Sequence, residues 1–222
     1  MKTTKITALL MAAVMMMGGT ACEHNKKGVP PADAKVDFSA PAPVPVPEEG
    51  WTDETLGDVI YLNGKKLQLP CYVEDLGEGF EVEPDEEREK NLEDKGYSTF
   101  FLDYYGYNVG VISLKGADRK VISLDLTCYD DYDKLVKEYP KLPFSVNGVT
   151  IGSSIEDMRT NLGKDSADDK EPDYFSCCPD KLWVTAAVLE DKVKTISVTY
   201  RKNGTQDTSE AEQHEVVSNE SN

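Results

Sequence analysis

The sequence predicts an α+β fold of duplicated units, each a helical segment followed by an antiparallel meander, with helices covering one face of the sheet. Three observations carry this expectation. Asn-Gly occurs twice between short apolar segments, at Asn63-Gly64 and Asn147-Gly148. Each pair is followed by a short helical signature with Gly just past its end. Each half then closes on an alternating segment, Lys120 to Leu126 in the first and Lys194 to Tyr200 in the second.

Val59 to Leu62 and Lys65 to Leu69 flank the first Asn-Gly. That dipeptide is favoured in type I′ turns, whose two central residues both need positive φ, so a hairpin opens the domain. Val73 to Leu76 reads as a helical turn ended by Gly77 and Gly79. The order then returns. Phe144 to Val146 and Val149 to Ile151 flank the second Asn-Gly, Ser153 or Ser154 caps a helix over Ile155 to Leu162, and Gly163 stops it. Val73 to Leu76 matches Ile155 to Met158 nearly residue for residue, with a shorter helix in the first copy.

The amino terminus has a positive start at Lys2 and Lys5, then an apolar and Thr/Ala segment from Ile6 to Met17. A spanning helix needs ~20 apolar residues, so this is a secretory signal over residues 1–21. Gly19-Thr20-Ala21-Cys22 resembles the lipobox of bacterial lipoproteins, with Gly19 where Leu is usual. The resemblance implies lipidation of Cys22 by palmitate and an exported protein held on a membrane of the cell envelope. An ordinary signal cleaved after Ala21 is the alternative, leaving Cys22 as a thiol. Residues 22–50 contain Pro-Ala-Pro-Val-Pro-Val-Pro from Pro41 to Pro47, a polyproline tether expected to stand the domain off the surface. Residues 51–202 form the domain, and residues 203–222 read as a disordered acidic tail.

Asp and Glu outnumber Lys and Arg 41 to 24, for a formal charge of -17. Phosphate backbones are bound by basic patches that release counterions, so nucleic acid is not an expected partner. Cys71, Cys128, Cys177 and Cys178 are an even set in an exported chain and are candidate disulfide partners; a Cys177–Cys178 bond would close a strained ring and is discounted. In a reducing niche all four stay small buried hydrophobes.

The histidines, His24 and His214, lie outside the domain, which removes Ser/His/Asp and Cys/His catalysis. With no His and no Cys-x-x-Cys there, no metal site and no cofactor are expected. The acidic runs Glu81 to Glu89 and Cys128 to Asp133 read as solvated loops or charged helix faces. Tyr97, Phe100, Phe101, Tyr104, Tyr105 and Tyr107 crowd one segment. Strand alternation sends half of them to the core and leaves Phe101, Tyr105 and Tyr107 as a candidate binding patch.

Thr150 to Lys164 resembles the Gly, small, small, apolar-acidic-apolar, Leu-Gly element of β-lactamase-inhibitor-protein-like and small outer-membrane assembly lipoproteins. Leu69-Pro70-Cys71 and Val73 to Leu76 resemble the paired unit of uncharacterised secreted Firmicutes lipoproteins. That likeness implies an interaction module by analogy. The expected function is therefore non-enzymatic binding or scaffolding of another envelope protein. Inhibition of an exported enzyme and carboxylate-dependent glycan hydrolysis are the alternatives.

Overall fold

The computed structural model of the chain describes residues 27–127, 129–130, 134–135, 139–163 and 174–201. It is mostly antiparallel sheet with a few helices, which places it in the α+β class. A coil segment over 27–50 leads into helix α1 (Asp53–Gly57), strands β1 (Ile60–Leu62) and β2 (Lys65–Lys66), and a 3-10 turn over Val73–Leu76. Strand β3 (Phe80–Val82) and helix α2 (Glu86–Lys95) precede a meander of β4 (Tyr97–Tyr104), β5 (Tyr107–Lys115) and β6 (Lys120–Thr127). The short pair β7 (Tyr129–Asp130) and β8 (Lys134–Leu135) comes next. Then come β9 (Phe144–Val146), α3 (Ile155–Leu162) and a second meander of β10 (Tyr174–Cys177), β11 (Leu182–Leu189) and β12 (Lys192–Tyr200).

Both Asn-Gly pairs form the expected turns. Asn63 and Gly64 have φ of 51° and 71°, and Asn147 and Gly148 have 45° and 78°. The two turns are tied together, because β1 and β9 pair antiparallel with Tyr61 opposite Ser145. The Asn63 N–H donates to Pro143 O at 2.6 Å and the Asn147 N–H to Val59 O at 2.8 Å. The turns therefore sit at opposite ends of a three-stranded sheet ordered β2-β1-β9.

Helix ends follow local chemistry. Ser154 Oγ accepts the Asp157 N–H at 3.0 Å, and the Asp157 carboxylate accepts the Ser154 N–H at 3.2 Å, a reciprocal cap. Hydrogen bonds from Ser154 hold the Asp157 carboxyl below its ordinary range. Gly163 and Gly77 end their segments at φ of 99° and 96°. The acidic run from Glu81 divides between β3 and α2, where Asp85 accepts the Arg88 N–H at 3.0 Å and Gly96 closes the helix in the left-handed region. Helix α2 turns Leu92 inward and keeps its carboxylates in water.

The large sheet is ordered β10-β11-β12-β6-β5-β4-β3, with β6 and β12 joining the meanders at its centre. One face is core: Phe100, Leu102 and Tyr104 of β4, Leu124 and Leu126 of β6, and Ile196 and Val198 of β12 are all fully buried. Leu56 of α1, Ile60 of β1, Val146 of β9 and Met158 and Leu162 of α3 belong to the same cluster. Trp51 closes it, its Nε1–H donating to Leu162 O at 2.8 Å. Asp53 ties α1 to the β10–β11 turn by accepting backbone N–H groups of Asp180, Lys181 and Leu182.

The Pro-rich segment, expected to stand off as a spacer, lies along the domain. Polyproline II makes no hydrogen bonds of its own, so its amides and carbonyls are open to capture. Asn63 Oδ1 accepts the Asp37 N–H at 2.7 Å. Asn147 Oδ1 accepts the Val44 N–H at 2.8 Å while its Nδ2 donates to Val44 O at 2.9 Å. Val46 packs on the core, and further back the Gly28 N–H donates to Tyr105 O at 3.0 Å. The turn glycines serve twice. Beyond positive φ, a Cβ on Gly64 would lie 2.1 Å from Asp37 Oδ2, and one on Gly148 2.6 Å from Pro43 Cγ. Among the described residues, no helix is long and apolar enough to cross a membrane.

Candidate functional site

The second face of the large sheet is polar and half-buried. Strand pairing aligns Thr99, Ser113, Ser123, Thr199 and Trp183 in one row across β4, β5, β6, β12 and β11. The next row runs Phe101, Val111, Asp125, Ser197, Thr185 and Ser176. Alternation along each strand puts hydroxyls here and Leu, Ile and Val on the core side. The hydroxyls bond in pairs across strands: Thr99 with Ser113 at 2.9 Å, Ser123 with Thr199 at 2.7 Å, and Thr127 with Thr195 at 3.2 Å.

Over the first row lies a groove of about 450 Å³. Its rim includes Pro70, Tyr97, Lys115, Asp118, Lys120 and Arg201, and Ile122 reaches it beside Ser123 at the β5–β6 register shift. Trp183 forms one wall. Its Nε1–H donates to Ser176 Oγ at 3.0 Å, and the Arg201 guanidinium lies over the ring at 3.7 Å. Such a cation over an indole gains from the ring quadrupole. The Arg201 Nη1 approaches Cys178 Sγ at 3.6 Å, and its Nε is buried with no acceptor among the described residues.

Asp125 occupies the middle of the second row. Its Oδ1 is buried and meets no donor among the described residues. Burial pushes its carboxyl up to about 6, since desolvation disfavours the charged form. A group with such a perturbed titration is a candidate for chemistry. Glycoside hydrolysis needs a second carboxyl ~5 to 9.5 Å away, and the register partners of Asp125, Val111 and Ser197, supply none.

The aromatic candidates are placed separately. Phe101 is mid-strand on the polar face under the Arg88 guanidinium, 4.4 Å from its ring centre. Tyr105 and Tyr107 flank Gly106 in the β4–β5 turn. Tyr105 packs edge-on to Tyr104 at 4.8 Å and lies against Gly79, and Tyr107 meets Tyr139 edge-on at 6.2 Å. Phe100 and Tyr104 are core, as alternation requires.

Among the described cysteines, Cys71, Cys177 and Cys178 form no disulfide. Cys71 is fastened by two backbone bonds to Val121 at the start of β6, while Cys177 ends the edge strand β10. Burial and the nearby Asp75 carboxylate push the Cys71 thiol up to about 12, so it is held as an unreactive thiol. Cys22, Cys128, both histidines, the acidic run at 131–133 and the tail at 203–222 lie outside the described residues. No cluster of three His, Cys, Asp or Glu able to hold a metal occurs among the described residues.

Trp183, Arg201 and Asp125 were not singled out by sequence. Their one trace there is alternation, Asp125 between Leu124 and Leu126, and Trp183 between Leu182 and Val184. Alternation names a face but not what shares it. Comparison of the chain with protein-family profiles, curated proteins and solved structures gives no match.

Proposed function

We propose that this chain is a lipid-anchored protein of the cell envelope whose domain binds another protein through the polar face of its large sheet, without catalysis. The observation that carries the reading is the groove on that face, walled by Trp183 and Arg201. An indole fixed through Nε1 and a guanidinium fixed over it are preorganised contact groups, and Trp and Arg are enriched where binding energy concentrates. The absence of a carboxyl from both register partners of Asp125 weighs against paired-carboxylate hydrolysis.

The domain is read as a duplicated pair of helix-plus-meander units with helices on one face of the sheet. Supporting this are the two Asn-Gly turns with reciprocal bonds, the Gly77 and Gly163 stops at matching φ, and the way each unit's pre-helical segment binds the start of its own last strand. Cys71 bonds Val121 in the first unit, and Gly152 and Ser153 bond Val193 in the second.

The test is cross-linking in the native host, with mass spectrometry of captured species against a form lacking residues 51–202. One envelope protein enriched through the domain, with cross-links on the polar face, is the expected result. Capture that is unchanged without the domain refutes the reading. Palmitate incorporation, with Cys22→Ala as control, tests the anchor separately, and loss of label in the wild-type chain would refute it.

A further inference from the structure

We propose that the groove takes an extended, acidic peptide segment of the partner, with a carboxylate set against Arg201 and an apolar side chain beside Trp183. This rests on the protein-binding reading and adds the chemistry of what is bound. Charge is the first argument. In a chain of formal charge -17, the charged side chains that line the groove among the described residues are Lys115, Lys120, Arg201 and Asp118. Asp118 leans on Lys120 at 3.8 Å, so the cation left for a ligand is Arg201. A rim of opposite sign to the rest of the molecule steers an anion to this spot.

Arg201 supplies the second argument. Its Nε lacks an acceptor among the described residues and its Nη1 meets only a sulfur, a weak one. The backbone of Arg201 is held by donation to Lys181 O at 2.5 Å, and its guanidinium is flattened on the indole. A planar fork fixed in this way suits a carboxylate, which bonds two of its N–H groups side by side.

Size and floor give the third. The row from Thr99 to Trp183 crosses five strands, about 19 Å at the usual strand spacing, the reach of about six extended residues. Each hydroxyl pair on the floor uses one proton internally and leaves another for a ligand carbonyl. A neutral glycan would use none of the cations, and the guanidinium already covers one face of the indole on which a sugar would stack.

The experiment uses the full lipidated chain in detergent and a random hexapeptide library, followed by titration of the selected peptide. Trp183 reports on the groove, since the other tryptophan, Trp51, is buried in the core and bonded to Leu162. Enriched peptides are expected to carry Glu or Asp next to an apolar residue and to shift Trp183 emission saturably. They should lose affinity modestly on Lys120→Gln, since Asp118 already faces that ammonium, and about tenfold or more on Arg201→Gln. Glu→Gln in the peptide should do the same. Enrichment of neutral or basic peptides, unchanged affinity in both variants, or equal competition by polygalacturonate would overturn the proposal, the last in favour of an anionic glycan. Binding seen only after truncation at Lys202 would also overturn it, by making the chain's own acidic end the occupant. A partner cross-linked with equal yield to wild type and Arg201→Gln would sink the groove but leave protein binding standing.

Discussion

Asn147 serves through backbone and side chain alike: its backbone takes the left-handed turn, while its Oδ1 accepts from Val44 and its Nδ2 donates to Val44 O and Asn161 O. The residue is almost fully buried, so truncation strands polar groups that water cannot reach. Asn147→Ala should cost about 3 kcal/mol in denaturant unfolding, and Asn147→Asp should recover only part of it. A cost under about 1 kcal/mol would mean the docked segment contributes little. Asp125 makes a prediction of opposite sign. Its folded carboxyl titrates near 6, above the unfolded ~3.9, so the native state holds the extra proton between those values. The contribution of Asp125 to stability falls as pH rises from about 4 to about 6 and stays lowered above that. Asp125→Asn should flatten that slope and stabilise the protein at pH 7 by about 1 to 2 kcal/mol. An unchanged pH profile would show that Asp125 does not carry it.

Elements with their own chemistry were legible in the sequence. The turns at Asn63 and Asn147, the Ser154 cap, the Gly163 stop and the strands ending near Leu126 and Tyr200 all follow from local rules that tertiary contacts did not override. Helix α1 was not read, because five residues give no periodicity; it exists through the Thr52 cap and the grip of Asp53 on three amides of the β10–β11 turn. Helix α2 lies in an acidic run whose composition fits a solvated loop and a charged helix face equally well, and the Asp85 cap and Leu92 decide for the helix. Ser154→Ala should cost about 1 kcal/mol, as caps do. Asp53→Ala should cost more, since it frees three amides at once and unties α1 from the β10–β11 turn. Equal losses by thermal unfolding would contradict that ranking. The Arg88 guanidinium donates to Thr99 O at 2.6 Å, on the stretch of β4 beyond its pairing with β3, so α2 also shields an open sheet edge.

At the scale of the molecule, the large sheet divides its labour by face: leucines, Phe100 and Tyr104 inward, hydroxyls, Phe101, Asp125 and Trp183 outward. Half of this was legible, since alternation assigns residues to faces. The groove was not, because Trp183 and Thr99 are 84 residues apart in sequence and become one row only through five-strand pairing. The run of residues from Pro41 to Pro47 misled for a physical reason: composition foretold its extended backbone but not that Asn147 would capture Val44, as Asn63 captures Asp37 just before the run. Native-state hydrogen exchange should therefore find the Asp37 and Val44 amides protected about tenfold or more over that of Ala42, and equal rates would mean the segment is loose.

The docked segment also gives the domain an up and a down. It meets the sheet at the β4–β5 turn, where Gly28 bonds Tyr105, whereas the groove opens at the other end of β4, beside Tyr97. The eight residues of that strand span about 24 Å. On the proposed anchor at Cys22, the chain enters the domain at one end of β4 like a bracket fixed at its foot, and the groove stands a strand's length away from that point of attachment.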